Sequence, residues 1–547
     1  MKKFIIKKNN FLSRDVFGFY HTYYLGFNKP CNPDYLNILK NDFNKQLPGL
    51  LNKACQEVEK ILEQDLPKIP KELGIEKMTV CVVPRAKEQR KYHSNQLLFK
   101  QAVKNVVSKF KNIFEDGTDY ILRIKDTFTT HLGNIKGNYG PEPYPGITKD
   151  TCNISQNVKG KDILLVDDIY TLGVNVDEDA IEALFKNGAN SVTFYAVAYT
   201  LKNYTQNALN ILALLEYQEI GKGFIVENIQ KIKEMEENID DLVDWVNSII
   251  KEKISINDFK QKRESIKKEL QKCADNDIYT VAIGDEAYSG LVEPRISRIN
   301  KINKINNSEK PIVLFLKGDL NLLLDENNLN VAVIGTRYPN EEDELLEKEI
   351  IWYLLRRSKK VTILSGLAIG CDTIAHKSAI KYGGKTIAIL PSPILNILPK
   401  KNEKLAKKIF DKCGLLISEY YKDPISKQEL KRRYVERDRL QALFSDCIIL
   451  IASHDIKYKQ ILKGQKNVDF GSRHAMRYAK KFGILRAVVY DHQKHSNDLR
   501  YSLNKKLANE KYVIAINESN KVEVVKKILE KIEKRYDFND IWRKGGL

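Results

Sequence analysis

Short apolar runs that stop at a glycine or a carboxylate, each followed by apolar positions at helical spacing, recur along this chain. Residues 361–364 form one such run, which ends at Ser365-Gly366, passes through Ala368-Ile369-Gly370 and resumes with Thr373, Ile374, Ala375 and Ala379. That pattern predicts strand, glycine turn and helix. Residues 331–334 enter a second glycine turn at Gly335-Thr336-Arg337, and residues 447–451 form a third run shortly after Arg437-Asp438-Arg439. In the other half, four apolar residues at 163–166 lead into Asp167 and Asp168, then into Tyr170, Thr171, Leu172, Gly173 and Asn175 at the start of a helix through Ala180 and Leu184.

Residues 78–83, 119–124 and 485–490 read as further strands, and 47–62 and 97–110 as helices. Residues 127–157, rich in Gly, Pro, Tyr and Asn and without period, predict a long loop, which suits a lid. Beyond Lys202, residues 207–215, 225–251 and 256–272 predict helices, the middle one carrying an apolar stripe from Ile229 to Ile249. A helix starting near Ser472 and Arg473, another at 522–532 and a short basic tail close the chain. The alternation of strands and helices defines the expected fold class as α/β. Two parallel-sheet domains, at residues 1–205 and 276–547, are joined by a helical connector at 206–275.

The turns suggest chemistry. Glycine lets the backbone take positive φ and lets a ligand come close, while the N–H groups of the new helix face whatever lies there, which suits a phosphate. Adjacent acids at 167 and 168 can hold the two hydroxyls of a ribose while the turn's N–H groups and the Thr171 hydroxyl take its 5-phosphate. Any parallel α/β unit needs a tight turn, and acids also cap helices, so the pattern rather than one residue carries the reading.

Composition adds a class of partner. With 90 Lys and Arg against 71 Asp and Glu, the net charge is +19, which favours a polyanion such as nucleic acid. The abundance of Lys, Asn and Ile attributes part of that charge to base composition rather than to binding. Eight cysteines show neither Cys-x-x-Cys spacing nor a nearby His pair, which argues against a protein-held metal and for reduced thiols. The longest apolar runs are far short of a membrane span and the first residues lack an apolar signal core, so a cytoplasmic protein without a membrane partner is expected.

Gly335-Thr336-Arg337, the loop from Ser365 to Asp372 with Ala375-His376, Gly383-Gly384-Lys385-Thr386, Ser418-Glu419 and Arg437-Asp438-Arg439 stand in the order of the DNA-processing protein A (DprA/Smf) family. Residues 278–517 resemble that family. The resemblance implies an extended Rossmann fold, single-stranded DNA in a basic pocket, and DNA handed to a recombinase. It assigns nucleic-acid or nucleotide binding to Gly335, Thr336, Arg337, Ser365, Gly366, Ala368, Gly370, Lys385, Arg437, Arg439, Ser472 and Arg473, with the basic residues expected to converge at the carboxyl edge of one sheet. Two residues depart from the family's pattern: Asp438 stands where asparagine is usual and Cys371 where isoleucine is usual, which makes the pocket less welcoming to a polyanion.

Residues 77–200 resemble the ComF-like branch of the type I phosphoribosyltransferases. The stretch at 162–175 is similar to their phosphoribosyl pyrophosphate (PRPP) loop, residues 83–87 stand in place of the pyrophosphate loop, Asn95-Gln96 matches an asparagine-glutamine pair, and residues 127–131 a Thr-rich stretch. The resemblance implies PRPP with Mg2+ as cofactor, Asp167 and Asp168 as catalytic residues stabilising an oxocarbenium-like ribosyl centre, and PRPP contacts from Arg85, Lys87, Tyr170, Thr171, Leu172, Gly173 and Asn175. Leu172 and Asn175 replace threonines, so the phosphate cradle loses hydroxyl donors. Binding is expected, while turnover and the acceptor stay open.

Two functions follow. One is a DprA-like binder of single-stranded DNA coupled to a PRPP-binding module, a homo-oligomer acting in bacterial DNA processing or anti-phage defence. The other is a Rossmann domain that senses a small nucleotide and controls a phosphoribosyltransferase that modifies a base or nucleotide. Salt separates them, because DNA held through several phosphates weakens steeply with salt and a small nucleotide does not.

Overall fold

The computed structural model describes residues 1–544, with side chains to residue 534; the end of the expected basic tail, 545–547, lies outside the described residues. The chain divides into two compact units, one from Met1 to Leu201 and one from Lys202 onward.

In the first unit the strands are β1 (Lys2–Ile6), β2 (Val16–Tyr24), β3 (Met78–Val82), β4 (Phe114–Asp116), β5 (Ile121–Arg123), β6 (Cys152–Ile154), β7 (Asp162–Tyr170) and β8 (Ser191–Thr200). Six of them form one sheet in the order β1-β2-β8-β7-β3-β4, while β5 and β6 pair separately. Within the large sheet only β1 and β2 are antiparallel. The run Ile163 to Val166 is fully buried because a central parallel strand is covered on both faces. Leu164 and Val166 pack with Val80 and Val82 against Leu36 and Leu39 of helix Asp34–Lys40, Val58 and Leu62 of helix Pro48–Asp65, and Val103 and Val106 of helix Leu98–Lys109.

The expected loop at 127–157 is shorter than its composition suggests, since helix Ile147–Thr151 and β6 occupy its end. The Asp179 carboxylate accepts the N–H groups of Gly146 at 2.5 Å and Thr148 at 2.6 Å, so a remote acid satisfies the start of a helix that has no local signature.

The second unit carries β9 (Tyr279–Ala282), β10 (Val313–Gly318), β11 (Leu329–Ile334), β12 (Val361–Ser365), β13 (Lys385–Leu390), β14 (Leu415–Ser418), β15 (Cys447–Leu450), β16 (Leu485–Val489) and β17 (Val513–Ile516). They form one sheet in the order β17-β16-β15-β11-β12-β13-β14-β10-β9. β10 runs antiparallel to both neighbours and the other pairings are parallel. The chain winds outward from β11 to β14, then returns past β11 to add β15, β16 and β17. This doubly wound α/β sheet therefore has its switch point between β11 and β15, where ligand crevices form.

Helices Gln206–Leu214 and Ile256–Asp275, in the stretch read as a connector, pack on each other and on β9 inside this unit. The single helix expected at 225–251 is two, Lys222–Glu234 and Ile239–Ile249. Asn238 separates them by accepting the N–H of Asp241, an N-cap that starts a new helix. Arg437, Asp438 and Arg439 lie inside helix Lys427–Leu443, and the last helix, Lys521–Lys544, is longer than the apolar pattern at 522–532. Among the described residues no helix is long and apolar enough to cross a membrane.

Candidate ligand sites at the carboxyl ends of two sheets

β7 continues through both acids, and strand alternation sends their side chains to opposite faces. Asp168 shares the face of Leu164 and Val166 and meets Lys40, at 2.9 and 3.1 Å. Against the lowering pull of burial, Asp168 holds the Lys40 ammonium above its ordinary range. Asp167 takes the other face and hydrogen-bonds Asp177 in the first turn of helix Val176–Lys186. Burial, then Asp168, raises the Asp167 carboxyl to about 7, and burial with Asp167 raises Asp177 as well. Two buried carboxyls in hydrogen-bond contact do not both ionise readily, which favours a proton between Asp167 and Asp177.

The remaining residues matched to the PRPP loop and pyrophosphate loop have internal partners. Arg85 donates to Asp42 at 2.6 Å and to the Gln96 carbonyl at 2.8 Å. Lys87 donates to the carbonyls of Thr127 at 2.7 Å and Tyr139 at 2.5 Å, under the Tyr139 ring. The Thr171 hydroxyl is 2.6 Å from that of Thr200. Tyr170 is buried and donates to Glu178 at 2.8 Å, so it faces the core and not a ligand. Gly173 and Asn175 both have positive φ, of 92° and 63°, and the Asn175 amide bonds Gly173 and Asn9. Leu172 is 48% exposed and brings no donor. Among the described residues no group of three or more His, Cys, Asp or Glu side chains is placed to hold a metal by itself. The Asp168 carboxylate, on the face that meets Lys40, fits a hard cation that arrives with a polyphosphate supplying the rest of its shell, while Asp167 is engaged by Asp177 on the other face.

In the second unit the turns after β11 and β12 and the start of helix Cys371–Lys381 are packed against one another. A Cβ on Gly335 would lie 2.6 Å from Cys371 Sγ, and one on Gly370, at φ +79°, would lie 2.5 Å from the Thr336 carbonyl oxygen. On Gly366 it would fall 1.0 Å from Arg437 Nη1. These glycines permit close approach of the chain to itself. Several turn N–H groups expected to face a phosphate are spent inside: Cys371 on the Thr336 carbonyl at 3.1 Å, Ala368 on Asp372 at 3.1 Å. Gly366 N–H reaches the Gln441 amide oxygen at 3.1 Å with that amide turned to donate to Asp438. Ser365 donates to the Val333 carbonyl and Ser472 to that of Gly335.

Arg437, 6% exposed, lies between Asp372 at 3.5 Å and Asp438 at 3.2 Å. Burial raises the Asp438 carboxyl to about 7; Arg437 opposes this, and Asp372 and Asp469 add to it. Arg337 stays half exposed and pairs with Asp469 at 3.2 Å. Arg473 opens helix Arg473–Lys481, close enough to Asp438 and Asp469 to interact electrostatically with both.

Two residues assigned to this edge lie elsewhere. Lys385 is the first residue of β13, at the amino edge of the sheet, and donates to the Lys412 carbonyl. Arg439 is 3% exposed and bound to Glu419, which also holds Lys222 at 3.2 Å. Burial with an internal carboxylate makes that arginine part of the core. The switch point therefore gathers Arg337, Arg437 and Arg473 with Asp372, Asp438 and Asp469. Asp469 had no signal in the sequence, because its loop has no period and only the fold returns it to the β11 turn. Lys40, Asp42 and Asp177 were missed in the first unit because only the fold brings them to Asp168, Arg85 and Asp167.

A doubly wound sheet with glycine turns and arginines at its switch point defines a Rossmann-type domain. Residues 280–456 match the family model of DNA recombination-mediator protein A, which places this C-terminal region in the DprA/Smf family. DNA processing protein DprA of Streptococcus pneumoniae is 36% identical over 134 residues, 24% of this chain and 44% of that protein. Protein Smf of Synechocystis is 31% identical over 142 residues, 26% and 34% of the two chains. The chain spans about a third to a half of the length of the curated relatives it matches. The X-ray structure of DNA processing protein A from Streptococcus pneumoniae superposes with a TM-score of 0.42 at 22% identity, covering 59% of this chain and 98% of that one.

Proposed function

We propose that the second unit binds single-stranded DNA without sequence preference, and that the first unit binds PRPP with Mg2+, the two acting together in bacterial DNA processing or defence against phage. The match of residues 280–456 to a DNA recombination-mediator family carries the DNA reading, and the half-exposed Arg337 at the switch point supplies a phosphate contact. What supports the PRPP reading is a central strand that carries two adjacent acids near its carboxyl end, followed by a glycine turn and a helix start.

Anisotropy titrations of an oligothymidine with the full chain across a salt series test the DNA reading. Arg337→Ala and Arg473→Ala should each flatten the logarithmic salt slope by about one. Lys385→Ala, at the opposite edge, should leave it unchanged. If both arginine variants keep the wild-type slope, DNA does not use this edge.

One observation favours a small nucleotide instead: the turn N–H groups are internally spent and three carboxylates crowd the arginines. A nucleotide that binds with a salt slope near zero, while DNA does not bind at low salt, would support that reading. Linkage between the two units must be reciprocal: a factor by which DNA tightens PRPP is the factor by which PRPP tightens DNA.

A further inference from the structure

Residues 40–42 close helix Asp34–Lys40 and turn at Asn41, whose φ is +41°. Their two charged side chains reach different parts of the first unit's site. The Lys40 ammonium sits on both Asp168 oxygens, at 2.9 and 3.1 Å. The Asp42 carboxylate takes Arg85 at 2.6 Å on one oxygen and His131 at 2.8 Å on the other. Gln96 clasps the backbone between them, donating to the carbonyls of Asn41 at 3.0 Å and Asp42 at 3.2 Å, while its own carbonyl receives Arg85. Side-chain exposures of 18% for Lys40 and 16% for Asp42 show that these two charges are largely sheltered from water, while His131, at 40%, stays open to it.

We propose that residues 40–42 form an internal strap that fills this site with the charges of its own ligand, and that it yields only to a ligand carrying a hard cation and a polyphosphate together. The inference rests on the PRPP reading of Asp167, Asp168 and Arg85. Lys40 offers Asp168 a positive charge where a cation-bearing ribosyl group would lie. Asp42 offers Arg85 a negative charge where a phosphate would lie. A single residue separates the two, so both leave together. A cation alone would compensate Asp168 but strip Arg85 of Asp42, and a free diphosphate would do the reverse; either exchange leaves a sheltered charge without its partner, which is costly. The strap also ties the loop at 127–146 through His131, alongside the Lys87 bonds to Thr127 and Tyr139, so its release loosens the segment that would close over a ligand. A protein whose open form is a minority pays for it in apparent affinity, by the fraction open.

The test uses the full chain, with calorimetry and amide exchange as readouts. The variant Lys40→Ala/Asp42→Asn should bind Mg2+-PRPP at least tenfold more tightly than wild type. In wild type, Mg2+-PRPP should speed exchange of the Asn44 and Gln46 amides, which now donate to Asn41, whereas Mg2+ alone or pyrophosphate alone should not. Without ligand, the double variant should exchange faster over 127–146. Asp42→Asn alone keeps the side-chain volume, guards against a folding defect, and should move both readouts in the same direction.

Equal or weaker binding by the strap variants, with Asp167→Asn/Asp168→Asn still abolishing binding, would overturn the strap and keep the PRPP reading. Faster exchange over 127–146 in strap variants, with no PRPP binding by any form, would remove the PRPP reading and keep the clasp. Unchanged exchange over 127–146 in the unliganded strap variants would overturn the strap outright.

Discussion

Asp438 shows how much one buried carboxyl can govern. It is 8% exposed, and burial holds its carboxyl at about 7 although Arg437 pulls the other way. A folded-state pKa above the unfolded value means that the native protein binds this proton more tightly. The stability so contributed is complete below about pH 4 and is lost as the pH rises through about 7. Asp438→Asn, which restores the residue usual in the resembled family, leaves Arg437 its contact with Asp372. In urea melts the variant should match wild type near pH 4 and exceed it near pH 8 by more than about 1.4 kcal/mol, the linkage of one pH unit. If the second unit binds DNA at this edge as proposed, wild type should lose affinity between about pH 6 and 8 as the pocket gains a negative charge, and the same substitution should abolish that loss. A melt difference that does not grow with pH would show that Asp438 is already ionised at low pH. The identity of this residue was visible in the sequence, but its proton was not: that depends first on burial, to which Asp372 and Asp469, brought beside it by two other segments, add.

At the scale of elements, strands were easier to read than helices. The 163–166 stretch of β7, β11 and β12 are short, buried runs followed by a carboxylate or turn signal, and such runs have few other ways to be satisfied. The stripe at 225–251 misled because its period continues across the break at Asn238, and only the cap marks the new helix. That cap is testable. Asn238→Ala should cost about 1 kcal/mol in denaturant unfolding and Asn238→Gly only a few tenths, since glycine tolerates the N-cap conformation without the side-chain bond. Equal losses for both would assign Asn238 a role other than capping. The loop at 127–157 misled in the opposite direction: Asp179, far along the chain, satisfies the start of helix Ile147–Thr151, and composition records no such contact.

For the whole molecule, two compact units should give two thermal transitions, each raised by its own ligand. Mg2+-PRPP at a hundred times its Kd should stabilise one by about 2.7 kcal/mol, and single-stranded DNA should do the same for the other. Scanning calorimetry in which both ligands raise one and the same transition would contradict that assignment. By itself the sequence determined the fold class and the turns on which the candidate sites are built. Turn glycines, apolar runs and the Asp167-Asp168 pair act locally, through φ and strand periodicity that neighbouring residues impose. Only the tertiary structure decided what each charge does. It put Lys385 at the amino edge of its sheet and Arg439 in the core with Glu419. It also split the two acids between opposite faces, Asp168 to Lys40 and Asp167 to Asp177. The physical reason is that a charged side chain's exposure, partner and protonation depend on what the fold buries beside it, and for these residues that neighbour comes from a distant part of the chain.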